Sequence, residues 1–299
     1  MGTTANSVQP SDAHISGLKK MELVRLIAVL RLSIHNLFPV TPFCSHESPL
    51  CSVQELQDLP EDELRGELRS WLHLPLEITK IHSGTSLFRA VNEASTALGF
   101  NCRQVIFELH SVLPIWKGTE SRSGIGSELS STLYVRHLLP GLLSKYAVKS
   151  VLDAGCGDFN WARGMDWNSV QYTGVDIVSE IISDNRKKFS SATVRFVCAD
   201  ITQDNMPKVE AILCRDCLFH FSPEDVINAV INFKRAGARY LLTSTFQSLR
   251  KNRSIPTGDF HPINLQLAPY NFPVPLESIP DSPLEKSLAL WRLSEIKTP

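Results

Sequence analysis

The chain has almost no net charge. Its 30 Lys and Arg stand against 31 Asp and Glu, giving a formal charge of −1 and a sequence pI near 6.8. A uniformly basic nucleic-acid footprint is therefore absent, and bulk nucleic acid is not an expected partner. Long apolar runs are missing too. The longest, Leu26 to Leu30, is closed by Arg25 and Arg31 and is far too short to span a bilayer. No basic segment followed by an apolar core and a cleavage site opens the sequence, and Asn6 stands where a myristoylation signal has Ser or Thr. The 7 cysteines are odd in number and scattered, which suits free thiols in a reducing compartment rather than a disulfide framework. Cys214 and Cys217 form one C-x-x-C pair, where a structural zinc site needs four ligands, so no metal is expected. Internal repeats are also absent. A soluble cytoplasmic protein is the expectation, and the oligomeric state is left open.

What is present reads as an ordinary globular chain. Its 299 residues are 43% hydrophobic and 20% charged, enough for a substantial core and for two domains. Residues 1–13 are polar. Residues 15–37 are apolar at helical spacing, with Leu18, Met21, Val24, Ile27, Ala28, Leu30 and Ile34 on one broad face that suits core or partner packing better than a membrane surface. Pro39 and Pro42 end it. Ser52-Val-Gln-Glu55 is a capping-box pattern, and Pro60-Glu-Asp-Glu63 opens a helix to about His73, striped by Leu64, Leu68, Trp71 and Leu72. Two more helices are expected over 85–98 and 101–113. Residues 1–113 thus read as a helical accessory region and 114–299 as a second domain.

The second domain carries the chemistry. Val151-Leu-Asp-Ala-Gly-Cys-Gly-Asp158 reads as a buried strand running into a tight glycine turn. Gly155 and Gly157 lack Cβ atoms, so backbone amides can approach a ligand closely. Asp153 offers a carboxylate to a cofactor amine or a water. Gln171 to Ile177 is a second strand ending at Asp176, placed to take ribose hydroxyls, with Ile177 beside it. Val194 to Asp200 is a third strand, whose Asp200 reaches an exocyclic amine while Ile201 packs on a ring. Ala211 to Asp216 is a fourth, with Arg215, Asp216, Cys217 and His220 at its end. Ligands of open α/β sheets sit outside the carboxyl ends of the strands, where these polar ends converge. The fold class expected is α/β, a doubly wound and mostly parallel sheet.

The remaining segments frame that site. Residues 116–127 form a loop with three glycines and three serines, read either as a linker or as a closure over the cofactor. A helix over 128–146 leads into the first strand. Ser222-Pro-Glu-Asp225 is a strong helix start, Gly237 a stop, and Arg239 to Phe246 a fifth strand. Residues 247–286 hold seven prolines and read as irregular, and Leu288 to Leu293 as a last strand, antiparallel at the sheet edge. A nicotinamide dinucleotide suits the glycine turn poorly. Its fingerprint needs a third glycine where Asn160 stands, and Asp153 and Asp158 flank the turn.

This ordered set of strand-end acids resembles the class I S-adenosylmethionine-dependent methyltransferase superfamily over roughly residues 114–299. Leu152-Asp-Ala-Gly-Cys-Gly-Asp-Phe-Asn-Trp161, Cys214-Arg-Asp-Cys-Leu-Phe-His220 and Leu241-Leu-Thr-Ser-Thr-Phe246 look like a bacterial-type subfamily, as do Trp116 to Ser127 and Thr257 to Leu265. Phe159 stands where the commonest superfamily glycine motif has a small residue. The resemblance implies S-adenosyl-L-methionine as cofactor, held by Asp153, Gly155, Gly157, Asp176, Ile177, Asp200 and Ile201. Arg215, Trp116 and Arg122 extend that set, Arg122 toward the methionine carboxylate. It implies transfer to a small molecule, here expected to be a polar metabolite or sugar hydroxyl, with His220 as base and His261 and Asp216 beside it. An N-methyltransferase acting on an amine or protein, and a non-catalytic binding protein on the same fold, are the alternatives.

Overall fold

In a computed structural model of the chain, the described residues are 12–37, 53–81, 84–113, 116, 118–281 and 285–298. Their contacts divide the chain into two units, Met1–Trp116 and Lys117–Pro299.

The first unit is helical: α1 (Asp12–Gly17), α2 (Lys20–Leu37), α3 (Val53–Asp58), α4 (Glu61–Ile81), α5 (Gly84–Ala97) and α6 (Cys102–Val112). The single helix expected over 15–37 is broken at Leu18 and Lys19. Two groups stabilise the break. The Arg65 guanidinium donates to the carbonyls of Ile15 and Leu18, and Glu22 accepts from the Lys19 amide at 2.7 Å. These satisfy backbone groups that a helix end leaves orphaned. Leu23, Val24, Leu26, Ile27, Val29 and Leu30 of α2 are all fully buried, so α2 is a core helix apolar on most sides rather than an amphipathic surface helix. The arginines bracketing its apolar run pair inside the unit, Arg25 with Glu108 and Arg31 with Glu67. Burial pushes the Glu108 pKa up to about 7 against the pull of Arg25. Asn101 caps α6, accepting from the Gln104 amide at 3.2 Å. Ser52 lies outside the described residues.

The second unit is a seven-stranded sheet in the order β3-β2-β1-β4-β5-β7-β6. The strands are β1 (Ser150–Ala154), β2 (Gln171–Asp176), β3 (Val194–Cys198), β4 (Ala211–Cys214), β5 (Tyr240–Phe246), β6 (Glu277–Pro280) and β7 (Lys286–Arg292). β1 to β5 are mutually parallel, and β7 runs antiparallel to β5 and β6. Helices α7 (Leu133–Lys145), α8 (Ser179–Phe189) and α9 (Pro223–Arg235) flank it. The central strands β1, β2 and β4 read as nearly continuous buried runs, as strands covered on both faces must. This is a Rossmann-like α/β sheet. Its chain order reverses between β1 and β4, which places the crevice at their carboxyl ends.

Two expectations need correction. The last strand is not at the edge. β7 lies between β5 and β6, with Leu288, Ala289, Leu290 and Trp291 buried. The edge is β6, inside the segment read as irregular because of its prolines. Pro280 is tolerated there because an edge strand has one side without ladder bonds. The helix expected over 128–146 begins only at Leu133, since 129–132 are turns in which Leu129 donates its amide to Glu120. The start of α9 is as the residues dictate: Ser222 Oγ accepts from the Asp225 amide at 3.2 Å and Pro223 takes the first turn.

Candidate active site

The β1 turn is shaped by its glycines. Gly155 and Gly157 have φ of 81° and 53°, a region that side chains adopt only at a cost. A Cβ on Gly155 would lie 2.9 Å from Cys217 Sγ, so the ends of β1 and β4 meet without room for another carbon. Phe159 also sits at positive φ, 59°. Its ring is buried under the turn against Tyr172, Phe196 and Phe189, with centroids 5.0, 5.1 and 5.5 Å away. That packing is why an aromatic stands here: the ring plugs the core beneath the turn, and its burial offsets the strained backbone.

Asp176 ends β2 beside the turn. Its Oδ2 accepts from the Gly157 amide and its Oδ1 from the Val178 amide, both at 3.0 Å. Burial pushes its pKa up and these amides pull it back. Each oxygen keeps a second lone pair for a hydroxyl. Asp153 is placed differently from its expected role. It is 2% exposed, and its Oδ2 accepts from the Tyr172 hydroxyl at 2.6 Å inside the sheet. Burial raises its pKa to about 7 against the Tyr172 bond and Arg215. The raised value means that ionising Asp153 costs folding stability. The contribution is intact below the unfolded pKa of about 4 and is lost as pH climbs through about 7. Asp153→Asn is therefore expected to raise the melting temperature at pH 8 and leave it nearly unchanged at pH 4, as measured by calorimetric melts.

Asp200 and Ile201 follow β3. Asp200 is 4% exposed and its Oδ1 accepts both the Thr202 amide at 3.0 Å and the Thr202 hydroxyl at 2.7 Å. Ile201 is buried and Ile177 half-buried.

The loop 118–128 lies on the glycine turn. Asp158 gathers it, accepting from Ser121 Oγ at 2.9 Å, the Arg122 amide at 2.7 Å and Ser123 Oγ at 3.3 Å. A Cβ on Gly157 would come within 2.0 Å of Ser123 Oγ. At its far end the loop reaches β4, where the Gly126 carbonyl accepts from Arg215 Nη1 at 2.9 Å. The Arg122 guanidinium is held by Glu180 on α8 rather than pointing to a free anion site. Trp116 belongs to the helical unit and stacks on His110, centroids 4.4 Å apart. Lys117 lies outside the described residues.

Four charges meet at the end of β4. Arg215 pairs with Asp281 at 2.9 Å, and Lys286 Nζ reaches Asp216 Oδ1 and Oδ2 at 2.7 and 2.6 Å and Asp281 at 3.2 Å. Ser244 Oγ adds a bond to Asp216 at 2.8 Å. Burial opposes ionisation of Asp216, yet Arg215 and Lys286 outweigh it and hold its pKa low. Asp216 sits at φ 52°, a position fixed by this network. Asp281 and Lys286 were not legible in advance.

His220 lies in a 3-10 turn (Leu218–His220) beyond β4. Segment 257–261 is laid across that turn by two amides, Gly258 to the His220 carbonyl at 2.8 Å and His261 to the Phe219 carbonyl at 3.2 Å. His220 Nδ1 is 3.0 Å from the Asp259 carbonyl. A carbonyl only accepts, so Nδ1 carries the proton and Nε2 is the basic nitrogen. Burial pushes the His220 pKa down to about 4, well below the near-neutral value expected for an unperturbed imidazole. His261 stands beside it, with Nε2 buried and unpaired. Among the described residues no group of three or more His, Cys, Asp or Glu is placed to hold a metal, and no helix is long and apolar enough to cross a membrane.

Residues 151–238, from β1 through α9, match the family model described as a methyltransferase domain. The chain carries a methyltransferase domain. Solved structures similar to it include three with related descriptions. Magnesium protoporphyrin IX methyltransferase from Synechocystis, with bound SAH, is 19% identical over 40% of this chain and 57% of its own, at a TM-score of 0.34. The 1,6-didemethyltoxoflavin-N1-methyltransferase of Burkholderia thailandensis is 19% identical over 57% and 80%, at 0.42. An N-methyltransferase from Bradyrhizobium japonicum is 18% identical over 37% and 59%, at 0.32. The chain thus spans little more than half of the first of these. No curated protein matches the chain. The methyltransferase domain contains Asp153, Gly155, Gly157, Asp176, Asp200, Asp216 and His220 within its matched segment, whereas His261, Asp281 and Lys286 lie beyond it.

Proposed function

We propose that the chain is an S-adenosylmethionine-dependent methyltransferase that methylates a hydroxyl of a small molecule. The observation that carries this reading is the joining of the glycine turn to the end of β2, with the Gly157 amide on Asp176 Oδ2 at 3.0 Å, at the reversal point of the methyltransferase domain. The turn admits close backbone approach, and the carboxylate beside it retains acceptor capacity for two ribose hydroxyls. These features fit S-adenosylmethionine, which supplies a methyl group already activated on a sulfonium. With so reactive a donor, the protein's main task is alignment.

His220 performs the remaining step. Its Nε2 takes the hydroxyl proton as the acceptor oxygen bonds to the methyl carbon and the sulfur departs with the electron pair. A base pushed down to about 4 is unprotonated at neutral pH but weak, so it suits an acidic hydroxyl better than a sugar hydroxyl. The test is methyl transfer from radiolabelled cofactor to a panel of phenolic, sugar and amine acceptors. Wild-type turnover is expected to fall only as pH drops through about 4, where His220 becomes protonated. His220→Asn is expected to lose about 100-fold in kcat. Unchanged kcat in His220→Asn would remove the base and favour an amine acceptor that arrives neutral.

A further inference from the structure

The segment after β5 contains a basic run that the site described above does not use. Arg250, Lys251 and Arg253 are all exposed, and no acid occurs between Gln247 and Gly258. None of the three cations belongs to an ion pair among the described residues. The nearby acids are otherwise engaged: Asp259 Oδ1 accepts from the Phe260 amide at 2.8 Å, and Glu285 accepts from Ser248.

The run is also held in place. Asn252, in its middle, donates from Nδ2 to the carbonyls of Asn264 and Ala268, each at 2.9 Å, and its Oδ1 accepts from the Asn264 amide at 2.8 Å. Asn264 in turn donates to the carbonyls of Gln247 and Leu249 at 3.2 and 3.0 Å. This reciprocal clasp fixes the cationic run against segment 258–264, which carries His261 and Phe260. The Arg253 charge is close enough to help burial lower the His261 pKa, and His261 Nε2 is buried with no partner. Phe260 leaves half of its ring exposed beside His220, with centroids 5.7 Å apart, and rests edgewise on Phe219 at 5.2 Å. A clasped loop of unopposed cations, an unpaired imidazole nitrogen and an exposed ring next to the candidate base are what a ligand with an anionic end and a planar apolar body would meet. By contrast, Arg215 and Lys286 are neutralised by Asp216 and Asp281 and offer no such charge.

We propose that the acceptor is a planar molecule bearing a phosphate group, with the phosphate held by Arg250, Lys251 and Arg253 and the planar body on Phe260 beside His220. The identity of this ligand as the acceptor rests on the methyltransferase reading; the anion site does not.

Phenyl phosphate, inorganic phosphate and phenol are the probes, each titrated by calorimetry at low ionic strength with and without S-adenosylhomocysteine. Phenyl phosphate is expected to bind most tightly. The Arg250→Gln/Lys251→Gln/Arg253→Gln variant weakens both phosphates at least ~10-fold, since charge-assisted contacts are lost. Phe260→Ala weakens phenyl phosphate alone. In NMR titrations, phosphate raises the His261 pKa in the wild type and leaves it unmoved in the triple variant. All four changes lie on exposed side chains, and matched thermal melts are the folding control. Absence of phenyl phosphate binding, or equal binding by the triple variant, overturns the proposal. Failure of S-adenosylhomocysteine to bind while the phosphate pattern holds would instead overturn the methyltransferase reading and leave the anion site standing.

Discussion

Gly157→Ala is expected to weaken S-adenosylhomocysteine binding by about 100-fold while leaving a folded protein. Two costs combine. The alanine must hold a φ of 53°, worth roughly 1–2 kcal/mol in the left-handed region. Its Cβ would also lie 2.0 Å from Ser123 Oγ and 2.9 Å from Ser123 Cβ, so something must move. The turn sits between buried strands and Phe159 is packed beneath it, so the loop is what yields. Lifting Ser123 breaks its bond to Asp158 and frees the segment that joins the glycine turn to Arg215. The rescue follows from the same geometry. Gly157→Ala/Ser123→Gly removes the clash and keeps only the backbone strain, so it is expected to regain about tenfold of the lost affinity. Calorimetry on the two variants decides this. If the double variant binds no better than Gly157→Ala, the loop contact is not what the glycine protects.

Lys286→Met is expected to cost about 3–5 kcal/mol of stability, because it leaves two carboxylates facing one guanidinium in a buried site. Asp281 has no side-chain exposure and Arg215 has 2%, so solvent cannot compensate the change. For a unit of this size the melting temperature falls by roughly 10 °C. Asp281→Asn made together with Lys286→Met restores the charge balance and is expected to recover part of the loss, a coupling that a double-mutant cycle measures. Equal and additive losses in the two single variants would mean that Asp281 and Lys286 do not act as a unit. The network also fixes the position of Asp216 at the site's mouth, so its disruption is expected to affect acceptor turnover as well as folding.

The sheet was legible in the sequence because its strands obey simple rules. Val151 to Ala154 and Ala211 to Cys214 are short apolar runs ending in turn residues, and a parallel sheet covered on both faces needs such runs. The helical unit was legible through its 3.6-residue spacing, apart from the break at Leu18, which depends on Arg65 some fifty positions away and leaves no local trace. β6 was hidden because Pro280 and its proline-rich neighbours mimic a loop, and so β7 was placed at the edge. The candidate site was partly legible. Glycine spacing and strand-end acids marked Gly155, Gly157 and Asp176, where the chemistry is local to one turn. Asp153 marked the right strand but faces Tyr172, a partner that only the pairing of β1 with β2 brings near. Arg122 was read as an anion ligand because its partner Glu180 lies on α8, a helix that the sequence pattern did not announce. His220 was identified by position, but its depressed pKa required knowing that segment 257–261 covers it.

The central claim is a methyltransferase domain whose glycine turn and Asp176 bind an S-adenosyl cofactor. It is tested most directly by calorimetric titration of S-adenosylhomocysteine into the wild type and into Asp176→Ala, with a nicotinamide dinucleotide as control. The account predicts binding to the wild type, at least ~10-fold weaker binding to the variant from loss of the bonds between carboxylate and ribose hydroxyls, and no dinucleotide signal. A folded wild type that fails to bind S-adenosylhomocysteine, or a variant that binds it as tightly, would contradict it.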